Sequence, residues 1–267
     1  MNAGVRSFND LEYVVAGESN LCLDIHRPAS DVEVPCVAYF HGGGWARGSR
    51  KDNLEARLKL VAAQGLAVAS VSYRFTDTAT YPAQLEDGRM ALTWLRAHGS
   101  EFGCRTDRIG AWGASAGGWI ALMLALTGED AQRADAVCAW FPPTDLPAIA
   151  RQRAAAALAK PSFLADREIP NVEAALLGVE SLEDAPELAR AASPLTHAAA
   201  ARSPVLLIHG DADGLIDAAQ SVALHEAVLA AGGDSQLLLI AGANHEDPGF
   251  QTPAVLAATA GFLQGAL

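Results

Sequence analysis

Four groups of residues in this sequence have the types and spacing needed for acyl transfer. Ser115 lies at the centre of Gly113-Ala114-Ser115-Ala116-Gly117, a Gly-x-Ser-x-Gly segment preceded by the apolar run Arg108-Ile109-Gly110-Ala111-Trp112 and followed by the apolar stretch from Gly118 to Leu126. A serine hydroxyl is a weak nucleophile until a base takes its proton, and a strand-turn-helix setting is the context in which this motif exposes it. The two glycines suit a sharp turn in which a side chain would crowd helix against strand. Upstream, His41-Gly42-Gly43-Gly44-Trp45 follows the apolar run Val37-Ala38-Tyr39-Phe40. Three consecutive glycines leave backbone N–H groups uncovered, and those of Gly43, Gly44 and Ala116 are the expected donors to the oxyanion of a tetrahedral intermediate. A phosphate-cradling loop would need Lys-Ser/Thr after its last glycine, and Trp45-Ala46 stand there instead.

Acid and base should follow the nucleophile in that order. The apolar run Val205-Leu206-Leu207-Ile208 opens into His209-Gly210-Asp211-Ala212-Asp213, and Gln236-Leu237-Leu238-Leu239-Ile240 leads to Gly242-Ala243-Asn244-His245. His245 is the expected base, with one ring nitrogen reaching the serine while the other donates to the acid. Asp213 is favoured over Asp211, because a carboxylate needs a few loop residues beyond the strand to turn back towards the histidine. Asp217 reads as a cap for a helix beginning near Ala218. The other histidines, His26, His41, His98, His197, His209 and His225, read as structural. The sequence has no His-Glu-x-x-His, no Cys-x-x-Cys and no clustered acidic loop, so neither a metal nor a cofactor is expected.

These residues require a scaffold that brings several strand ends together. Apolar runs at 37–40, 67–73, 108–112, 136–141, 205–208 and 236–240, with helical stretches between them, predict an α/β fold: a mainly parallel sheet flanked by helices on both faces. Residues Leu11 to Ile25 are expected to add one or two antiparallel strands at its edge. All 267 residues fit a single domain. Between Asp145 and Ala201 the alternation stops. Helical stretches, notably Ala148 to Lys160, are broken by Pro161, Pro170 and Pro186 without a convincing strand, which predicts a helical cap over the serine at 145–201. Phe163, Leu164 and Leu177 are candidates to wall a substrate pocket. Trp45 and Trp119 would narrow it and favour short acyl groups; the alternative is that both indoles simply pack loop and helix against the sheet.

The chain resembles the α/β-hydrolase family, in particular its compact esterase branch with a His-Gly-Gly-Gly-Trp loop, which includes acetyl-xylan and feruloyl esterase-like hydrolases and borders the hormone-sensitive-lipase-like esterases. Besides the segments above, the resemblance rests on Val71-Ser72-Tyr73-Arg74, Tyr81-Pro82-Ala83-Gln84-Leu85-Glu86-Asp87, Thr106-Asp107-Arg108-Ile109-Gly110, Pro142-Pro143-Thr144-Asp145-Leu146 and Ser193-Pro194. It departs from the family pattern at Trp119, where a histidine is common, and at Pro143, where glycine is usual. The resemblance implies hydrolysis of carboxylic esters without a cofactor. The residues alone imply a serine acyl-transfer site, which an amidase, arylformamidase or small peptidase would share and which a non-catalytic binding relative could retain.

Charge and composition narrow the partners. A net charge of −12 argues against nucleic acid and anionic membranes. A small-molecule ester is the expected partner, and a homo-oligomer is compatible with the sequence. No run approaches the roughly 18 apolar residues of a membrane span, and the first ten residues lack the apolar core of a signal peptide, so no membrane insertion and a cytoplasmic location are expected. Cys22, Cys36, Cys104 and Cys138 are scattered and read as buried thiols in a reducing compartment, with a Cys22–Cys36 bridge across a hairpin as the alternative.

Overall fold

A computed structural model describes residues 4–17, 19–155, 160–164 and 171–267. Its strands are β1 (Val5–Ala16), β2 (Ser19–Pro28), β3 (Val34–Phe40), β4 (Ala67–Val71), β5 (Cys104–Ala114), β6 (Val137–Trp140), β7 (Val205–Gly210) and β8 (Ser235–Ile240). They form one sheet in the order β1-β2-β4-β3-β5-β6-β7-β8. β1 and β2 are antiparallel to each other, as is β2 to β4, and every pair from β4 to β8 is parallel.

Burial explains which runs became which strands. β4, β6 and β7 are buried at every position, as expected of inner parallel strands covered on both faces, and this is why they read as unbroken apolar runs. β8 closes one edge and leaves Leu238 and Leu239 exposed. β5 is longer than the apolar run at 108–112 suggests. Its register against β3 shifts between Pro35 and Cys36, so the polar residues Thr106, Asp107 and Arg108 sit in an irregular stretch that hydrophobicity alone does not reveal as strand.

The helices are α1 (Lys59–Ala62), α2 (Ala83–His98), α3 (Ala116–Thr127), α4 (Leu146–Ala155), α5 (Val172–Leu177), α6 (Pro186–Ala191), α7 (Ala219–Ala230) and α8 (Pro253–Ala266). Side chains alternate across the sheet: Ala38 and Phe40 join the core under α2, α3 and α7, whereas Val37 and Tyr39 join the core under α1 and α8. Helix α3 is buried from Ala116 to Leu126, matching its lack of a polar stripe. Arg74, just beyond β4, grips the fully buried Asp87 of α2 with its Nε and a terminal nitrogen, at 2.6 to 3.0 Å.

Between Asp145 and Ala201 the described residues form α4, α5, α6 and short 3-10 turns, with no strand among them. Part of the expected Ala148 to Lys160 helix (156–159) and Pro170 lie outside the described residues. No helix among the described residues is long and apolar enough to cross a membrane.

Candidate active site

The site forms where β3, β5, β7 and β8 end. Ser115 occupies the turn from β5 into α3 with φ 54 and ψ −120, a conformation costing about 1–3 kcal/mol that persists only where its surroundings enforce it. They do so through the backbone. The Ser115 N–H donates to Trp140 O at 2.9 Å, and Trp119 N–H donates to Ser115 O at 3.0 Å. A Cβ on Gly113 would lie 2.2 Å from Gly117 O, and one on Gly117 only 1.9 Å from Phe40 O. Both glycines are therefore required by close contact between chain segments.

His245 Nδ1 lies 2.7 Å from Asp213 Oδ2, and its Nε2 lies 3.0 Å from Ser115 Oγ. An ionised carboxylate only accepts, so Nδ1 carries the ring proton and Nε2 is left to accept from the serine hydroxyl. Asp213 is buried, and its other oxygen accepts the N–H groups of Leu215 and Ile216 at 2.9 and 2.8 Å. Burial alone would raise this carboxyl. The charge of His245 and hydrogen bonds from His209 and His245 outweigh it and hold Asp213 well below the usual carboxylate range.

The rival carboxylates lie elsewhere. Asp211 is exposed and accepts the Gly242 N–H at 2.6 Å, tying the acid loop to the histidine loop. Asp217 accepts the Ala219 N–H at 2.8 Å at the start of α7, in the capping place expected of it. Among the other histidines, His41 stacks on Tyr73 with its Nδ1 at 2.7 Å from Gly42 O, and His26 meets the Ser7 hydroxyl at 2.8 Å.

The glycine loop runs beside the nucleophile: a Cβ on Gly42 would lie 3.5 Å from Ser115 Cβ. Gly43 and Gly44 adopt φ +121 and +62, and side chains there would strike Arg47 O and Val172. Among the described residues, no backbone acceptor takes the N–H of Gly43 or Gly44. Ala116 opens α3, so its N–H has no partner within the helix and points from the positive end of the helix dipole. The three expected oxyanion donors thus border one space.

That space is a cavity of about 650 Å³ reaching Ser115 and His245, a size that suits a small ligand. Trp45, Pro143, Phe163, Val172, Leu215 and Ile216 form its apolar wall. Trp119 is not among the lining residues. It lies one layer back, fully buried, with its indole N–H donating to Ala192 O at 2.7 Å and its ring set edge-on to Trp45 at 5.5 Å. Leu177 is buried in the core away from the cavity, and the Leu164 side chain lies outside the described residues. Among the described residues, no cluster of three or more His, Cys, Asp or Glu could hold a metal ion.

Sequence reading missed the residues that hold the histidine loop. Arg57 is buried and donates to Tyr39 Oη at 3.1 Å and to Glu246, with its guanidinium 4.7 Å over the Trp140 ring. Glu246 follows His245 with φ 56. The Phe141 ring packs edge-on against His245 at 4.6 Å. Asn244 Oδ1 accepts the Gly214 N–H at 3.0 Å, a second tie between the two loops. The short stretch Leu54–Leu58 that carries Arg57 is π-helical, and nothing in its sequence marks it as part of a site.

A parallel sheet crossed by helices on both faces, with a serine elbow after β5 and acid and base loops after β7 and β8, is an α/β-hydrolase fold. The chain belongs to the BD-FAE family, whose model matches residues 23–228. It is 28% identical over 226 residues to LipM of Mycobacterium tuberculosis, a probable carboxylic ester hydrolase, covering 79% of this chain and 49% of the relative. It is 34% identical over 140 residues to the carboxylesterase NlhH of the same organism, covering 51% and 40%. The chain spans about half the length of the curated relatives it matches. Among solved structures it is similar to a truncated carbohydrate esterase from gut microbiota, with TM-score 0.85, 22% identity and coverage of 99% and 97%. It also resembles Thermogutta terrifontis esterase 2 phosphonylated by sarin, with TM-score 0.73, 24% identity and coverage of 97% and 92%.

Proposed function

We propose that this chain hydrolyses carboxylic esters, with short acyl groups preferred, through an acyl-enzyme on Ser115. The observation that carries this reading is the line Asp213, His245, Ser115, linked at 2.7 and 3.0 Å and opening onto the cavity beside the glycine loop. In the proposed cycle His245 Nε2 takes the hydroxyl proton as Ser115 Oγ attacks the ester carbonyl. The carbonyl oxygen becomes an oxyanion facing the N–H groups of Gly43, Gly44 and Ala116. The C–O bond to the alcohol then breaks, and His245 returns the proton to the leaving alcohol. Water repeats the sequence on the acyl-enzyme, releasing the acid and restoring Ser115.

Names borne by relatives, carboxylic ester hydrolase and carboxylesterase, support the ester class. The cap at 145–201 belongs to the same proposal, since Phe163, Val172 and Glu173 line the cavity from that segment. So does the short-acyl preference, with Trp45, backed by Trp119, as the wall. We extend the reading to one domain working in a reducing compartment, where the four free thiols fit.

The test is hydrolysis of p-nitrophenyl esters of increasing acyl length beside the matching anilides. Acetyl to butyryl esters should give the largest kcat/KM, anilides should be poor, and Ser115→Ala should abolish turnover in a folded protein. Faster cleavage of anilides, or full activity in Ser115→Ala, would overturn the reading. Trp45→Ala should move the optimum to longer chains, and an unmoved optimum would remove Trp45 from the wall.

A further inference from the structure

A second histidine shares the oxygen of Asp213 that faces His245. His209, at the end of β7, is completely buried. Its Nε2 lies 2.9 Å from Ile216 O and 3.3 Å from Asp213 Oδ2, and its Nδ1 lies 2.7 Å from Ser221 Oγ. Both groups facing Nε2 are pure acceptors, so Nε2 carries the proton. Nδ1 faces the Ser221 hydroxyl of α7, which can donate to it or accept from it. The ring is thereby held from both sides, its Nε2–H on the Ile216 carbonyl and within 3.3 Å of the candidate catalytic acid. Asp213 Oδ1 accepts the Leu215 and Ile216 N–H groups, and its Oδ2 accepts the His245 N–H with His209 Nε2 3.3 Å away.

We infer that His209 is a positioning residue for Asp213, competing with His245 for the same carboxylate oxygen and so setting how firmly Asp213 holds the imidazolium formed during catalysis. This rests on the triad reading above. The Ile216 carbonyl and the Ser221 hydroxyl keep the ring in one plane, while its N–H blocks rotation of the carboxylate away from His245. A donor on Oδ2 also withdraws charge that would otherwise stabilise a proton on His245. Other charged groups in the region have separate partners or lie across the cavity: Asp211 binds the Gly242 N–H, Asp217 the Ala219 N–H, Asp247 the Gly249 N–H, Glu246 pairs with Arg57, and Glu173 lines the cavity from α5.

The experiment is the pH profile of kcat/KM for the wild type, His209→Gln, which can keep a donor near Nε2, and His209→Phe, which cannot. For His209→Phe the acid limb should move up by roughly half a pH unit or more, and kcat should fall roughly tenfold. His209→Gln should keep the limb near its wild-type place. A folded His209→Phe with an unmoved limb overturns the inference, as does an equal shift in both variants. Where the Phe variant does not fold, ¹⁵N NMR of the histidine rings in the wild-type protein decides. A His209 ring protonated on Nε2 alone at the pH of maximal activity supports the proposal, and protonation on Nδ1 overturns it. A Ser115→Ala protein that stays active marks failure of the triad itself, whereas Ser115-dependent turnover with wild-type behaviour in His209→Phe marks failure of this inference alone.

Discussion

The loop after β7 holds Asp213 mainly through groups close to it in sequence: the N–H groups of Leu215 and Ile216 and the nearby His209 ring, with the ring of His245 opposite. The loop after β8 holds His245 differently. There, Glu246 is caught by Arg57, a cation enclosed by Tyr39 and Trp140 on the opposite face of the sheet. Backbone N–H groups satisfy a buried carboxylate without bringing a second ion out of water. A buried guanidinium has no such economy, since its own desolvation must be offset by its partners. The acid is therefore secured locally, within a few residues of its strand. The loop that carries the base is tied through Glu246 to Arg57, 189 positions earlier in the chain. The acid thus relies on its own loop, whereas the base loop also relies on a buried ion from a distant segment.

Removal of the acid should give the largest effect. Asp213→Asn keeps the shape of the side chain but favours the wrong tautomer of His245, and kcat should fall by roughly 10⁴-fold, the size known for the same change in a serine protease. The check is steady-state kinetics on a short-acyl ester with circular dichroism to verify the fold; a loss under tenfold would mean that Asp213 is not the acid.

Breaking the ionic hold should act mainly on stability, and unequally. The Arg57 side chain is 1% exposed and that of Glu246 32%. Glu246→Ala therefore strands a buried cation and should cost about 3 kcal/mol, whereas Arg57→Met leaves a carboxylate that water can reach and should cost less. Urea denaturation of the two variants checks this, and the reverse ranking would show that Arg57 contributes through packing rather than charge.

A smaller effect should appear in acid. The folded state holds Asp213 below its unfolded value, so the unfolded chain takes up the proton first and acid favours unfolding. The contribution of Asp213 is complete above an unfolded value of about 3.9 and fades as the pH falls from there towards the folded value. The stability gap between wild type and Asp213→Asn should be flat near neutrality and close below about pH 4. A gap that widened on acidification would contradict the sign. Smallest of all, Asp211→Asn removes an exposed charge but keeps an acceptor oxygen for the Gly242 N–H, and should change kcat only a few-fold.

The candidate nucleophile, acid, base and glycine donors were legible in the sequence because each sits just past a strand that reads as an apolar run, and because their order along the chain is itself informative. Trp119 shows where proximity in sequence misleads. It stands one helical turn beyond Ser115, yet its ring runs to the Ala192 carbonyl rather than to the cavity. Arg57, Glu246 and Val172 carried no signal, since their importance comes from pairings between distant segments. β5 was underestimated because a register shift lets polar residues into a strand. His209 reads as structural in the sequence, and its closeness to Asp213 is visible only in the folded loop.

The elbow has a consequence for how this site tolerates change. Gly117 meets the Phe40 and His41 carbonyls, and Gly113 meets the backbone of Gly117 and Gly118, with no side chain in between. The spacing between nucleophile and glycine loop is thus gauged by the thickness of the polypeptide backbone, a dimension that substitution elsewhere does not alter. A side chain at either glycine would reset that gauge by more than an ångström, so neither position admits one.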